Sequence, residues 1–195
     1  MKLKGAAIRS GIIIGIVVLS IVFGLIFQSV SDKLDRKKYP REFGEFVSKY
    51  SEQYGVPQNV ILAVIKTESN FDSSLLSEDG KIGLMQVSPE VLEKYKDELR
   101  DPYDTGMLYD PETNIKYGTY KLSKLYMKLG TWKAVFAALG AGEETVGEWL
   151  ADERYSVTEE FSKPRLETIP DPAVAEYAEK LSDTSEKYKE LYYNN

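Results

Sequence analysis

The chain has 195 residues, a net charge of −6 at pH 7, and neither cysteine nor histidine. Those two absences exclude disulfides, thiolate metal sites, and serine-histidine or cysteine-histidine catalysis within the chain. Acid–base work therefore falls to carboxylates, tyrosines or lysines, and no cofactor or metal is expected.

Lys2, Lys4 and Arg9 precede a run without charge from Ser10 to Ser31. About 22 residues rising ~1.5 Å each reach roughly 33 Å, enough to cross a bilayer core. Residues 10–31 are expected to be a transmembrane signal-anchor, after a short cytoplasmic N-terminus at 1–9. Ser29-Val30-Ser31 would suit signal cleavage, but the apolar run exceeds the roughly 7–15 residues of a cleaved signal, which favours a retained anchor. Gly11 and Gly15 form a small-xxx-small pair through which two such helices could dimerise weakly. Basic residues flank both ends, so charge does not set the orientation. Residues 32–40 read as a juxtamembrane linker closed by Pro40, residues 41–185 as one domain, and 186–195 as a polar tail. Seven Lys/Arg and two Asp/Glu precede Pro40, which leaves −11 over the remainder. A field of that sign disfavours nucleic acid.

The domain reads as all-α with one small β-hairpin. Phe43, Phe46, Val47 and Tyr50 recur at helical spacing up to Gly55. Pro57 suits the first turn of the next helix, which contains Val60 to Ser69. Asn70 to Gly83 is rich in Ser, Asp and Gly, and the hairpin is placed between Leu75 and Val87. Pro89 opens a helix through Leu99. Asp110-Pro111-Glu112 caps one containing Ile115, Leu122, Leu125 and Leu129. Thr131 caps an apolar helix from Trp132 to Leu139, Val146 to Leu150 forms a further turn, and a last helix starts near Ala173.

The helix after Pro57 carries a chemical signal. Ile61, Val64, Ile65 and Glu68 share one face, so an apolar stripe ends in a carboxylate. Such an acid is either at a helix end in water or placed for chemistry. A carboxyl group in apolar surroundings keeps its proton to higher pH, as a general acid near neutrality must.

Four motifs follow in order. They are Glu68-Ser69 with Gly83-Leu84-Met85-Gln86 and Pro89; Asp110-Pro111-Glu112-Thr113-Asn114-Ile115 with Gly118; Trp132 to Gly142; and Ile169-Pro170 with Tyr177. Together they resemble the soluble-type (SLT) lytic transglycosylase family. The resemblance implies a lysozyme-like, mainly helical fold acting on peptidoglycan glycan strands. It implies one glutamate, matched by Glu68, that protonates the glycosidic oxygen between N-acetylmuramic acid and N-acetylglucosamine. The same group then takes a proton from the muramyl C6 hydroxyl, giving a 1,6-anhydro product without water.

By the same resemblance Ser69 would orient the carboxylate, and Ser77 would lie near the muramyl sugar. Met85 would floor a sugar ring, Gln86 would bond substrate, and Tyr177 would line the substrate site. Gly83 and Asn114 would be structural. The domain would lie outside the cytoplasmic membrane, as a single-pass protein facing the wall, with wall-remodelling, secretion or conjugation machinery as partners.

Departures are confined to two motifs. Leu139 and Gly140 stand where the family has Tyr-Asn, and Ala173 and Ala175 where it has Glu and Arg. The missing hydroxyl at 139 leaves three readings: a lytic transglycosylase, a hydrolytic muramidase using Asp72, Glu78 or Asp79 as base, or a wall-binding scaffold. The first has Glu68 acting alone.

Overall fold

A computed structural model describes residues 2–160 and 162–193, with side chains not described for 2–18 and for Asp32. The chain divides into two compact units, residues 1–40 and 41–195.

The first unit is one helix, α1 (Lys2–Lys38). From Leu19 through Val30 its large apolar side chains point outward on every side, among them Phe23 at 72% and Phe27 at 66% exposed. Among the described residues no helix is long and apolar enough to cross a membrane. The span expected at 10–31 lies partly outside them, since Ser10 to Val18 lack described side chains, and the stretch from Leu19 is too short to cross alone. The contact expected at Gly11 and Gly15 is likewise outside the described residues.

The second unit is mainly helical: α2 (Gly44–Tyr54), α3 (Gln58–Glu68), α4 (Pro89–Leu99), a 3-10 turn (Thr105–Tyr109), α5 (Pro111–Leu129), α6 (Trp132–Ala141), α7 (Glu143–Ala151) and α8 (Pro172–Tyr192). Local chemistry accounts for most boundaries. Asp110 accepts from Thr113 N at 2.9 Å ahead of Pro111, and Asp171 accepts from Ala173 N at 2.8 Å ahead of Pro172. Thr131 caps α6 by accepting from Ala134 N. Gly55 and Gly130 end α2 and α5 at φ 69° and 80°, a backbone state that costs glycine little. Pro57 sits at the cap of α3, one position earlier than expected, where its carbonyl accepts from Val60 N and Ile61 N.

The hairpin expected between Leu75 and Val87 reduces to two isolated antiparallel bridges, Leu76 with Ile82 and Ile82 with Val87. Gly83 interrupts pairing at φ 73° and Gln86 at φ 47°, so the segment folds as a tight turn. The two-stranded antiparallel sheet lies elsewhere, between β1 (Ser156–Val157) and β2 (Arg165–Leu166). The turn expected at 146–150 belongs to the longer α7. The last helix, expected to run from near Ala173 towards Tyr192, does so, and it takes in most of the stretch set apart as a polar tail.

At the centre is α3, whose residues Val60 to Ile65 are all buried. It packs on α8 and α2, while α6, apolar from Ala134 to Ala138, fills the space between α5, α7 and α8. Each fully buried isoleucine or leucine of α3 contributes roughly 1.5–3 kcal/mol of transfer free energy. The core is thus built around the helix that ends in Glu68. Tyr188 near the end of α8 has no exposed surface, so Tyr188→Ala is expected to lower the unfolding free energy by about 3–5 kcal/mol. Urea denaturation of the full chain in detergent measures this; an unchanged midpoint would mean that the C-terminal turns of α8 carry no core contact.

Candidate active site

Glu68 is the last residue of α3, half-buried and one turn beyond Val64 and Ile65, which are 2% and 0% exposed. The chain leaves the helix abruptly. Ser69 departs from helical geometry, and Asn70 and Phe71 follow at φ 51° and 69°. A bulky residue such as Phe71 in the left-handed region costs of order 1–3 kcal/mol, and burial of its ring helps to hold it there.

Among the described residues, one hydrogen bond reaches the Glu68 carboxyl: the Tyr177 hydroxyl, from α8, donates to Oε1. Burial first, and the Glu68 charge second, push the Tyr177 phenol far above its ordinary value of 10.0. Tyr177 is therefore a fixed neutral donor. Gly140 of α6 lies behind it, where an added Cβ would stand 3.2 Å from Tyr177 Cδ1 and 3.5 Å from Val174 Cγ1.

A turn at 83–86 is tied to the end of α3. Ser69 Oγ donates to Leu84 O at 2.8 Å and to Ile65 O at 3.1 Å. Its hydroxyl is engaged by two backbone carbonyls, so it orients the chain around the acid rather than bonding the carboxylate. Asn114, buried at the start of α5, donates from Nδ2 to Ile82 O and Leu108 O and accepts from Met85 N, each at 2.8 Å. Gly83 is required beside it, since a Cβ there would lie 2.5 Å from Asn114 Nδ2 and 2.7 Å from Leu108 O. Met85 packs against Gly118 of α5, where a Cβ would come within 2.5 Å of its sulfur.

Two other expected site residues have local partners. Gln86 is buried and donates from Nε2 to Gly83 O at 2.8 Å and to Leu75 O at 3.3 Å. Ser77 closes the Asp79-Gly80 turn, donating to Asp79 Oδ1 at 2.5 Å and accepting from Lys81 N at 2.9 Å. Ser77 and the acidic loop residues form a local cluster. Asp72 accepts from Ser74 N at 2.9 Å and Ser74 Oγ at 2.6 Å, and Asp79 pairs with Lys81 at 2.8 Å. Those hydrogen bonds hold both carboxyls below the usual carboxylate range, which makes each a weaker base.

The geometry assembled here is one carboxyl group at the end of a buried helix, with a neutral phenol on one oxygen and a rigid turn beside it. A sequence model of the family described as "Transglycosylase SLT domain" matches residues 45–161. The chain belongs to this family. It is similar to a membrane-bound lytic murein transglycosylase C from Serratia proteamaculans, at 34% identity over 110 residues, covering 55% of this chain and 30% of that protein. It is also similar to the soluble lytic murein transglycosylase of Escherichia coli K12, at 31% identity over 120 residues, covering 60% of this chain and 18% of that protein. Among solved structures, the 70 kDa soluble lytic transglycosylase of E. coli superposes with a TM-score of 0.70 at 25% identity, over 80% of this chain and 25% of that one. An inactive glutamate-to-glutamine mutant of a Pseudomonas aeruginosa lytic transglycosylase gives 0.68 at 25% identity, over 78% of this chain and 25% of that one. The chain thus spans under a third of the length of these relatives.

Because the folded state keeps the Tyr177 proton where the unfolded chain loses it, the associated stability is complete below pH 10.0 and declines as pH rises beyond it. Tyr177→Phe is expected to flatten that alkaline decline relative to wild type. A denaturation series across alkaline pH reads it, and superimposable slopes would remove the buried Tyr177 phenol as the cause.

Proposed function

We propose that this chain is a membrane-anchored peptidoglycan lytic transglycosylase that uses Glu68 as its single acid–base group. The observation that carries the reading is the Tyr177 hydrogen bond to Glu68 at the end of a buried helix, within a chain of the SLT family. Tyr177 engages Oε1, which leaves Oε2 to hold the proton and present it to the glycosidic oxygen. As the bond between N-acetylmuramic acid and N-acetylglucosamine breaks, positive charge grows on the muramyl C1. The Glu68 carboxylate then removes the proton from the muramyl C6 hydroxyl, and that oxygen closes onto C1. Proton donated and proton recovered balance, so the enzyme returns to its starting state and the product is a 1,6-anhydromuramyl end.

Tyr177 supplies the hydroxyl that Leu139 lacks. Of the three candidate bases Asp72, Glu78 and Asp79, Asp72 and Asp79 are engaged within their own loop and held more acidic than usual, which leaves Glu78 as the loop carboxylate that a two-carboxyl hydrolase would need. Gln86 and Met85 stand on the turn beside the acid, and we assign them to the sugar-binding wall. The outward apolar side chains of α1 and the uncharged run 10–31 support a membrane anchor. A relative named as membrane-bound is consistent with it. Since peptidoglycan lies outside the cytoplasmic membrane, the domain would face the wall.

Purified peptidoglycan digested by the full chain in detergent should give anhydromuramyl ends by mass spectrometry, and Glu68→Gln should abolish them. Reducing muramic ends would instead identify a hydrolase, and undiminished cleavage by Glu68→Gln would sink the assignment. Tyr177→Phe is expected to lower kcat by roughly tenfold to a hundredfold through loss of a donor aimed at the acid. In protoplasts, external protease should remove the domain at residues 41–195; full protection would contradict the topology.

A further inference from the structure

The seam where α6 meets α8 is open on its outer side. A cavity of about 580 Å³ lies there, floored by Trp132, Phe136, Ile169 and Ala175 and rimmed by Glu179 and Asp183. A second, of about 290 Å³, shares Trp132, Phe136 and Ser182 with it and continues to Pro57 and Val60 at the start of α3. From Ala175 to Ser185 the joined groove follows α8 for about 15 Å, at ~1.5 Å per residue. Neighbouring rings hold the indole in place: Trp132 stacks on Tyr126 with centroids 4.5 Å apart and stands 6.1 Å from Phe136. An apolar groove of this size with few polar groups has the form of a binding site. It leaves the acid free, since Tyr177, the residue bonded to Glu68, does not line it and faces Gly140 instead.

Most charged side chains along the groove are already committed. Lys133 donates to Glu167 O, and the Glu167 carboxylate pairs with Arg165 at 2.9 Å. Lys189 pairs with Glu186 at 3.4 Å. Glu179 and Asp183 differ: both are exposed, and neither forms an ion pair among the described residues. They stand one turn apart on the same face of α8, where like charges repel. The groove therefore sets two open carboxylates beside an apolar floor, in a domain of net charge −11. That combination is complementary to cations carried next to apolar side chains. Anionic lipid and nucleic acid are repelled. A second copy of the domain carries the same sign, and a neutral glycan has no charge to answer the pair.

We propose that this groove docks a basic amphipathic helix of a partner protein, with its apolar face on Trp132 and Ile169 and its lysines or arginines against Glu179 and Asp183. A length of about 15 Å takes roughly three helical turns, so apolar residues at i, i+3 or i+4, and i+7 reach the floor. Docking there recruits the domain to a partner while Glu68 stays accessible. The inference stands on the groove and holds whatever reaction Glu68 carries out.

The test uses the full chain in non-ionic detergent with Trp149→Phe, which leaves Trp132 as the single tryptophan and its fluorescence as a reporter of the groove. Three probes are compared: a synthetic helix with leucines at i, i+3, i+4 and i+7 and lysines elsewhere, the same peptide with glutamates for lysines, and a neutral N-acetylglucosamine oligomer. The lysine peptide is expected to shift Trp132 emission saturably, and the other two to leave it unchanged. Glu179→Gln with Asp183→Asn should weaken that binding by about tenfold. Glu144→Gln with Glu148→Gln removes two charges with the same spacing from α7, outside the groove, and should change it by less than about twofold. Ala175→Arg, which fills the groove and adds a like charge, should also weaken binding by about tenfold or more. The acid pairs are exposed, so their comparison does not depend on how Ala175→Arg folds. Equal losses from the two acid pairs would assign binding to net charge and overturn the docking site. So would a lysine peptide that leaves Trp132 emission unmoved, a glutamate peptide that binds equally well, or undiminished affinity in Ala175→Arg. Saturable binding of the neutral oligomer, unaffected by loss of Glu179 and Asp183, would give the groove to glycan and overturn it as well.

Discussion

The site depends on a carboxyl group held at the end of a buried helix by a phenol from a distant one. Val60 to Ile65 anchor α3 in the core, so the position of Glu68 is set by packing and not by a mobile loop. Tyr177 then bonds Oε1 from α8, and the packing of α3 on α8 becomes the geometry of the acid itself. Burial matters at both ends of that bond. It keeps the phenol protonated and therefore always a donor, and it limits the water that would compete for the carboxyl group.

A second hub controls what stands opposite. Asn114 uses its two amide protons and its oxygen on three backbone groups, at Ile82, Leu108 and Met85. The turn 83–86 closes on the Ile82–Val87 bridge and carries two positive-φ residues, and Met85 N inside it finds its acceptor in Asn114. Gly83 must lack a side chain for the amide to approach, and Gly118 must lack one for Met85 to lie against α5. Two glycines and one asparagine thus convert the start of α5 into a rigid wall beside Glu68. Ser69 completes the link by joining Leu84 to the end of α3.

Much of this arrangement was readable in the chain. The stripe Ile61, Val64, Ile65 and Glu68 has a helical period, and the caps Asp110 and Thr131 are short-range signals. The structural roles of Gly83 and Asn114 followed from the motif that contains them. The expected hairpin failed because period and turn residues do not reveal the two positive-φ positions, Gly83 and Gln86, inside it. The partner of Tyr177 was not readable, since 109 residues separate it from Glu68 and the contact exists only after α3 and α8 pack. Sequence adjacency left the Ser69 hydroxyl open between the carboxylate and a helix-end carbonyl, and it bonds the carbonyls of Leu84 and Ile65.

The departures at 139 and 140 are physically connected to Tyr177. Leu139 offers no hydroxyl from α6, and the donor to the acid is Tyr177 of α8. Gly140, the next residue, removes a side chain from the surface against which Tyr177 rests. With a Cβ only 3.2 Å from Cδ1, against an optimum carbon separation of about 3.5–4.0 Å, any larger residue at 140 would press the ring by a few tenths of an ångström. Such a shift falls directly on the hydroxyl at the other end of the ring, where hydrogen-bond strength depends steeply on geometry. An asparagine would add its amide to the same crowded surface. The seating of Tyr177 therefore depends on the missing side chain at Gly140. Restoring the usual residue at 140 without also restoring the hydroxyl at 139 would disturb Tyr177 and return nothing to Glu68.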